Sequence, residues 1–563
     1  MATTAASAPT GLTESRRRWF GLAALSTGVT MVMIDATIIN VSLPAITAEL
    51  GLMPTDLQWI NSIYSLVFAA LLITMGRMGD AIGRRKTFLA GAALFVTASL
   101  IAATAQSGEM IIAGRAIQGI GGAMMIPASL SLLNAMFRGK DRAIAFAVWG
   151  ATVGTVAAIG PLLGGYLTTT FSWRWAFFIN IPIAAISLIG VTLLVRESRD
   201  EHAVRGVDVA GVLLSAIGLG ALVFGLIEGQ NFGWWKPRGD VALGPIEWPF
   251  TAISPVPVAF VVAFVALLTF VRIERSRAAA GRSVILDLKL FHIRSFAWGN
   301  AVGLCIMFGE FGMLLTLPLF LQNVLGYTAL AAGATTAAIM VGALLAAPSS
   351  GRLTQSRGPV FVVRLGLTLE AIAMIGIAFM YQPDATQWMF VPWLLLFGVG
   401  VGLGTAQLIN VVLRDVPVEQ SGQASGTQST SRQVGTALGV AVLGAVLWSS
   451  LAGLLPTQLS ETASMDAATA QQVSDEIVNS SGVTINSVDV PPEALVASRY
   501  GDEAGQAAAQ AFSTATAYAS LVGAGFVIVG IIATFVGFRR QPGDDGTVAG
   551  PRDQQEASAG AAA

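Results

Sequence analysis

Fourteen stretches of this chain run for about 20 residues with almost no charge, the length that crosses a bilayer core as an α-helix. They lie at 19–43, 57–75, 87–105, 110–133, 143–167, 174–195, 208–228, 252–271, 295–320, 328–350, 359–381, 388–413, 426–452 and 512–538 of 563 residues. Lipid offers backbone groups no partner, so such stretches must be helices that satisfy their own hydrogen bonds. Only 12% of the chain is charged, against roughly 25% in a soluble domain. A soluble enzyme is excluded, and the expected fold is an all-α polytopic membrane protein. The first stretch follows Arg16, Arg17 and Arg18 as a signal peptide would, but it carries Asp35 and no small-residue cleavage site. It reads as a retained helix.

Positive charge tests the helix count independently, because cytoplasmic connections collect Lys and Arg. With the N-terminus inside, the inner connections and tails hold 27 of the 32 basic residues and the outer connections hold four. Arg174, Arg364 and Arg432, near the ends of their stretches, are counted with the adjacent connections in this tally, and Arg115 is the one that remains inside a helix. Fourteen helices with both termini cytoplasmic follow.

Other chemistries find little footing. A net charge of −1 leaves no basic face for nucleic acid. The lone Cys305 can form neither an intrachain disulfide nor a zinc cluster. No phosphate loop occurs, and the glycine run from Gly398 to Gly404 sits inside an apolar stretch, where it reads as close helix approach. His202 and His292 fall in connections, so neither a metal site nor a nucleophile with its base is expected. Uphill movement would therefore draw on an ion gradient, with no cofactor.

The expected organisation is a cytoplasmic tail at 1–18, a six-helix bundle at 19–195, inserted helices 7 and 8 at 196–294, and a second six-helix bundle at 295–540. A disordered tail occupies 541–563. The loop Gly76-Arg77-Met78-Gly79-Asp80 has a trace in Gly351-Arg352-Leu353-Thr354-Gln355, as an internal duplication would leave. Paired bundles are a transporter design, with the substrate site between the halves. The outer segment 453–511 holds eight acids against one base, Arg499. It reads either as a cap on a substrate path or as a solvated, partly helical loop.

An ionisable group at membrane depth costs at least about 2.5–3.5 kcal/mol and needs a reason to be there. Asp35, Arg115, Glu310 and Glu370 qualify. Asp35 lies about 16 residues into an outward helix, roughly 24 Å, and Arg115 about 6 residues into an inward one, roughly 9 Å. In a core about 30 Å thick these depths nearly match. The pair is then either a proton-binding acid tuned by a base or a permanent structural pair. Glu310, about 15 residues into the ninth helix, is the pseudo-symmetric partner of Asp35, with the same two readings. Glu370 falls on a helix expected to be peripheral and reads as structural. Asn40, Gln118, Gln407 and Asn410 either line a substrate cavity or make interhelical hydrogen bonds.

These motifs resemble the major facilitator superfamily, in its fourteen-helix drug:proton antiporter branch, from about residue 19 to 540. Ile34-Asp35-Ala36-Thr37 through Pro44 resembles the branch's first-helix signature, whose acid the resemblance links to proton coupling. Gly76 through Lys86 is similar to the superfamily's gating loop, with Gly76, Asp80, Gly83, Arg84 and Arg85 among its residues, which implies that Asp80 and Arg84 hold the bundles together on the inner side and release during alternation. Ala81 stands where an arginine is common. Arg115-Ala116-Ile117-Gln118-Gly119 resembles a motif whose arginine is implicated in proton transfer. Gly160-Pro161-Leu162-Leu163-Gly164-Gly165 resembles the core of the antiporter motif, with Ala147 and Val156 at two upstream glycine positions. Trp173 to Pro182, Leu286 to Phe291 and Ser431 to Gly435 match as well.

Motifs and resemblance together imply a proton-coupled antiporter, acting as a monomer in the cell membrane, that exports small amphipathic or lipophilic compounds. The alternatives are an exporter of an endogenous lipid or metabolite, an uptake symporter, and a non-transporting membrane receptor.

Overall fold

The computed structural model describes residues 14–538, apart from 53, 201–207, 239–240, 244–245, 481 and 489–490. The expected tails at 1–13 and 539–563 and His202 lie outside the described residues. The long helices are α1 (Glu14–Leu50), α2 (Pro54–Ile82), α3 (Arg84–Ala103), α4 (Gly108–Met136), α5 (Gly139–Thr170), α6 (Trp175–Leu194), α7 (Val209–Phe232) and α8 (Pro255–Ala279). They continue with α9 (Arg294–Asn323), α10 (Ala329–Thr336 and Ala338–Arg357), α11 (Pro359–Met380), α12 (Gln387–Val412), α13 (Ser421–Thr462) and α14 (Asp502–Gly537). Among the described residues, 12 helices are long and apolar enough to cross a membrane, or 13 if α10, bent by 50°, counts as one.

Local chemistry sets the boundaries. Ser107 begins α4 by accepting from the Met110 N–H, and Asp208 begins α7 by accepting from the Gly211 N–H at 2.8 Å. Side-chain oxygens at these positions satisfy donors that a first helical turn leaves free. Between α2 and α3 the chain turns on Gly83 alone, at a φ of 121° that only glycine adopts without strain. The presumed loop after the second apolar stretch is thus mostly helix: Gly76 and Asp80 close α2, and Arg84 and Arg85 open α3. Between α7 and α8, β1 (Ala242–Leu243) pairs antiparallel with β2 (Ile246–Glu247).

Packing divides the helices. Helix α4 lies against α2 and α3, and α1 against α5 and α6. Helix α9 lies against α13 and α14, and α12 against α10 and α11. The two groups meet where α2 and α4 touch α13 and where α5 touches α10 and α12; the α7–α8 pair leans on α2 and α13. Large apolar side chains on the periphery, such as Val261, Phe264 and Val265 of α8, are exposed, as a lipid-facing surface requires.

Both described ends lie on one face, here the terminal face. Arg17 donates to the Leu194 carbonyl at the end of α6, and Arg364 at the start of α11 donates to the Phe538 carbonyl. Arg84 joins these regions by bonding Ser198 at 3.0 Å and the Glu419 carbonyl at 3.1 Å. On the opposite face, the described residues of 453–511 are folded rather than loose. Helices Ala467–Asn479, Val483–Asn486 and Val496–Tyr500 bury Val473, Ile477, Ile485 and Val496 against the second group.

Candidate functional site

Asp35 sits on α1 with no exposed surface, and Arg115 of α4 is 1% exposed. Arg115 Nη1 donates to Asp35 Oδ2 as a buried ion pair. Gln118, one turn along α4, donates to Asp35 Oδ1 at 2.7 Å, and Asn180 of α6 donates to the same oxygen at 2.8 Å. Both amides also reach Ser99 Oγ of α3, at 2.9 and 3.0 Å. Tyr64 of α2 lies with its ring 4.4 Å from the Arg115 guanidinium carbon, an additional cation–π partner. Five helices thus converge on one carboxylate, which receives a charge-assisted bond and two amide N–H groups.

Asp35 and Arg115, which the sequence places at nearly matching depths, form this buried pair. Gln118 is part of the acid's hydrogen-bond shell. Asn180 and Ser99 were missed as site residues; an amide and a hydroxyl in apolar stretches are the only signals that could have found them. Asn40 and Pro161 lie on α1 and α5, but their side chains are outside the described ones.

Helix α5 approaches this site through its glycines. A Cβ on Gly160 would collide with the Thr37 side chain, and one on Gly164 would come within 2.8 Å of Ile38 Cγ1 and 3.0 Å of its carbonyl oxygen. Gly165 follows, half-buried. The glycines therefore let α5 lie directly on the α1 turn beside Asp35, and Ser42 meets Thr168 one turn further at 3.0 Å.

The second group contains its own charged cluster. Glu310 of α9 accepts from Thr405 Oγ1 of α12 at 3.2 Å. Glu370 is fully buried on α11, contrary to its expected peripheral place, because α11 is enclosed by α12 and α14. Arg432, counted with an inner connection from sequence, lies about three turns inside α13, and its charge acts on both acids. The polar run Ser421 to Ser431 disguised that helical extension.

A lock joins the two groups at the terminal face. Asp80 Oδ1 accepts from the Gly422 N–H at 2.8 Å and Oδ2 from the Gln423 N–H at 2.9 Å, at the positive end of α13. Arg84 grips Asp80 Oδ1 at 2.7 Å and also donates to the Val418 and Glu419 carbonyls. Gly76 lies flush against Gly422 and Gly426, and Asn134 donates to Ser421 Oγ at 2.7 Å. Arg85 instead points within its own group, to the Thr192 carbonyl at 2.6 Å. Gln407 of α12 donates to the Ala143 carbonyl of α5 and to Ser350, each at 3.3 Å, and Asn410 donates to Gln407. Gln118, Gln407 and Asn410 therefore all make hydrogen bonds, and those of Gln407 reach both α5 and α10.

A family model described as the Major Facilitator Superfamily matches residues 25–209 and 205–440. The probable actinorhodin transporter of Streptomyces coelicolor is 33% identical over 457 residues, 80% of this chain and 75% of that one. Multidrug resistance protein Stp of Mycobacterium tuberculosis is 32% identical over 446 residues, 79% of each chain. The crystal structure of the human organic anion transporter MFSD10 (TETRAN) matches at a TM-score of 0.58 and 14% identity, covering 92% of this chain and 99% of that one. At that identity the likeness speaks for the fold alone.

Proposed function

The chain belongs to the Major Facilitator Superfamily, as a secondary active efflux transporter in the membrane, and from that premise we propose how its own residues couple protons to export. Asp35 is the proton carrier, and Arg115 is the base that tunes it. The observation that carries this reading is the buried Asp35–Arg115 pair with its shell of Gln118 and Asn180. A proton on Asp35 removes the charge that Arg115 faces and weakens the contact between α1 and α4. A cationic substrate near the acid would compete with that proton. Exchange of one for the other is antiport.

The arrangement described here has the terminal face closed by Asp80 and Arg84. We take that face as cytoplasmic, since it collects the basic connections. Fourteen spans follow when α5, 32 residues long, is counted with the others. The two packing groups then correspond to six-helix bundles at 19–195 and 295–540, with 196–294 inserted, in a monomer. Gly160 and Gly164 keep α5 tight on α1, which shuts a path for proton leak beside Asp35. Glu310 is the counterpart acid of the second bundle. The substrates are small amphipathic or lipophilic compounds, a class suggested by the relative named for multidrug resistance.

The test uses the full chain in lipid vesicles with an imposed pH gradient and ethidium as the transported probe. Gradient-driven movement is expected for the wild type and its loss for Asp35→Asn. Undiminished, gradient-driven movement by Asp35→Asn would refute the role of Asp35. Indifference of the wild type to the gradient would point to facilitated diffusion.

A further inference from the structure

Asp35 in the first half is held by partners on both oxygens, whereas Glu370 in the second half is not. Glu370 has no exposed surface, and among the described residues neither of its carboxyl oxygens has a hydrogen-bond partner. Its Cγ lies against Gly400 and its Oε1 against Gly404, where a Cβ would stand 2.6 and 3.3 Å away. The next residue, Thr405, holds Glu310 Oε1 at 3.2 Å. Both carboxyl groups therefore converge on one turn of α12, in a space that exists because that turn is built from glycine. Arg432 of α13 faces them, with Nη1 enclosed and without a hydrogen-bond partner among the described residues.

Two acids and one base leave one formal negative charge uncompensated in a water-poor interior, where an unpaired charge is unfavourable. One proton on either acid removes it and leaves one carboxylate against one guanidinium, so the two acids hold a single proton between them. The charged groups facing Glu370 are Glu310 from α9 and Arg432 from α13. Helix α12 contributes the Thr405 hydroxyl there, and α14 contributes Ser520, which donates to the Met374 carbonyl.

We propose that Glu310 and Glu370, faced by Arg432, hold one shared proton and form a second proton-binding site, separate from Asp35. The proton arrives from water, resides as an O–H on one of the two carboxyl groups, and returns to water on release, leaving two carboxylates against one guanidinium. Its use in transport rests on the proton-coupled reading above, but the binding of the proton does not.

The test is infrared difference spectroscopy on the full chain in lipid vesicles while the pH is stepped, following the carbonyl stretch of protonated carboxyl groups. The wild type is expected to show a pH-dependent band that Glu310→Gln and Glu370→Gln each abolish, because each variant leaves one acid balanced by one base. Asp35→Asn is expected to leave that band in place. Arg432→Gln is expected to move its midpoint to higher pH. Persistence of the band in Glu370→Gln, or removal of a different band by each Gln variant, overturns the shared proton. Where Glu370→Gln does not fold, the isosteric Thr405→Val is expected to raise the midpoint, and an unmoved midpoint overturns the proposal. Loss of this band in Asp35→Asn would assign the proton to the first half. Failure of the ethidium experiment would leave the spectroscopic result untouched, so the two readings fall separately.

Discussion

Replacing Asp80 by Asn should loosen the terminal-face lock without disturbing the helices it joins. The Asp80–Arg84 pair lies within the first half. What exists only in the closed form is the contact with α13: two backbone N–H groups on one carboxylate, at 2.8 and 2.9 Å. Asn keeps an acceptor for one of them and turns an N–H toward the other. A charge-assisted hydrogen bond contributes about 1.5–3 kcal/mol, and a negative charge at a helix N-terminus about 0.3–1 kcal/mol more. The closed form should lose about 2–4 kcal/mol, at least roughly thirtyfold in its population relative to the open form. A reporter cysteine at Ser425, fully buried in the closed seam, would read this in a Cys305→Ser background. Labelling by a membrane-impermeant thiol reagent in inside-out vesicles should accelerate by about tenfold or more in Asp80→Asn. Labelling unchanged between the two backgrounds would mean that Asp80 does not hold the halves together.

Gly164→Val should separate α5 from α1, since the Ile38 carbonyl oxygen that its side chain meets belongs to rigid backbone. Overpacking of this kind costs about 1–3 kcal/mol, visible as a lower Tm, and proton leak through vesicles should rise. On the opposite face, hydrogen bonds from Arg174 and then Trp173 hold the Glu49 carboxyl below its ordinary value. A depressed acid stabilises the fold above its ordinary value, and that contribution fades as pH falls through the lowered one. The wild type should therefore melt above Glu49→Gln near neutrality, with the gap closing in acid; a gap independent of pH contradicts this.

Much of the architecture was legible because ionisable residues are rare in the apolar stretches and stand out. Asp35 and Arg115 could be matched by depth alone. The helix ends were harder to read. Ser421 to Ser431 looks like a connection because hydroxyls and amides dominate it, yet Thr427 and Thr430 return their hydroxyls to carbonyls one turn earlier, at 2.9 Å each, and the helix absorbs them. That is why the span reads as starting at 426 rather than at Ser421, and why Arg432 seemed to lie near its end rather than about three turns inside. Glu370 was visible but misjudged, since enclosure by α12 and α14 is a property of tertiary packing that periodicity does not carry. Asn180 and Ser99 needed the crossing of α3 and α6 to acquire a meaning.

The composition of the seam at the terminal face also governs how freely it parts. Ser131, Asn134, Ser421, Ser425 and the glycines Gly76, Gly422 and Gly426 meet there. Such surfaces exchange partners with water on separating and uncover little oily area. Separation can then be quick and repeatable, without the adhesion that a greasy joint imposes on each stroke. The burden of keeping that face closed falls on a few charged contacts.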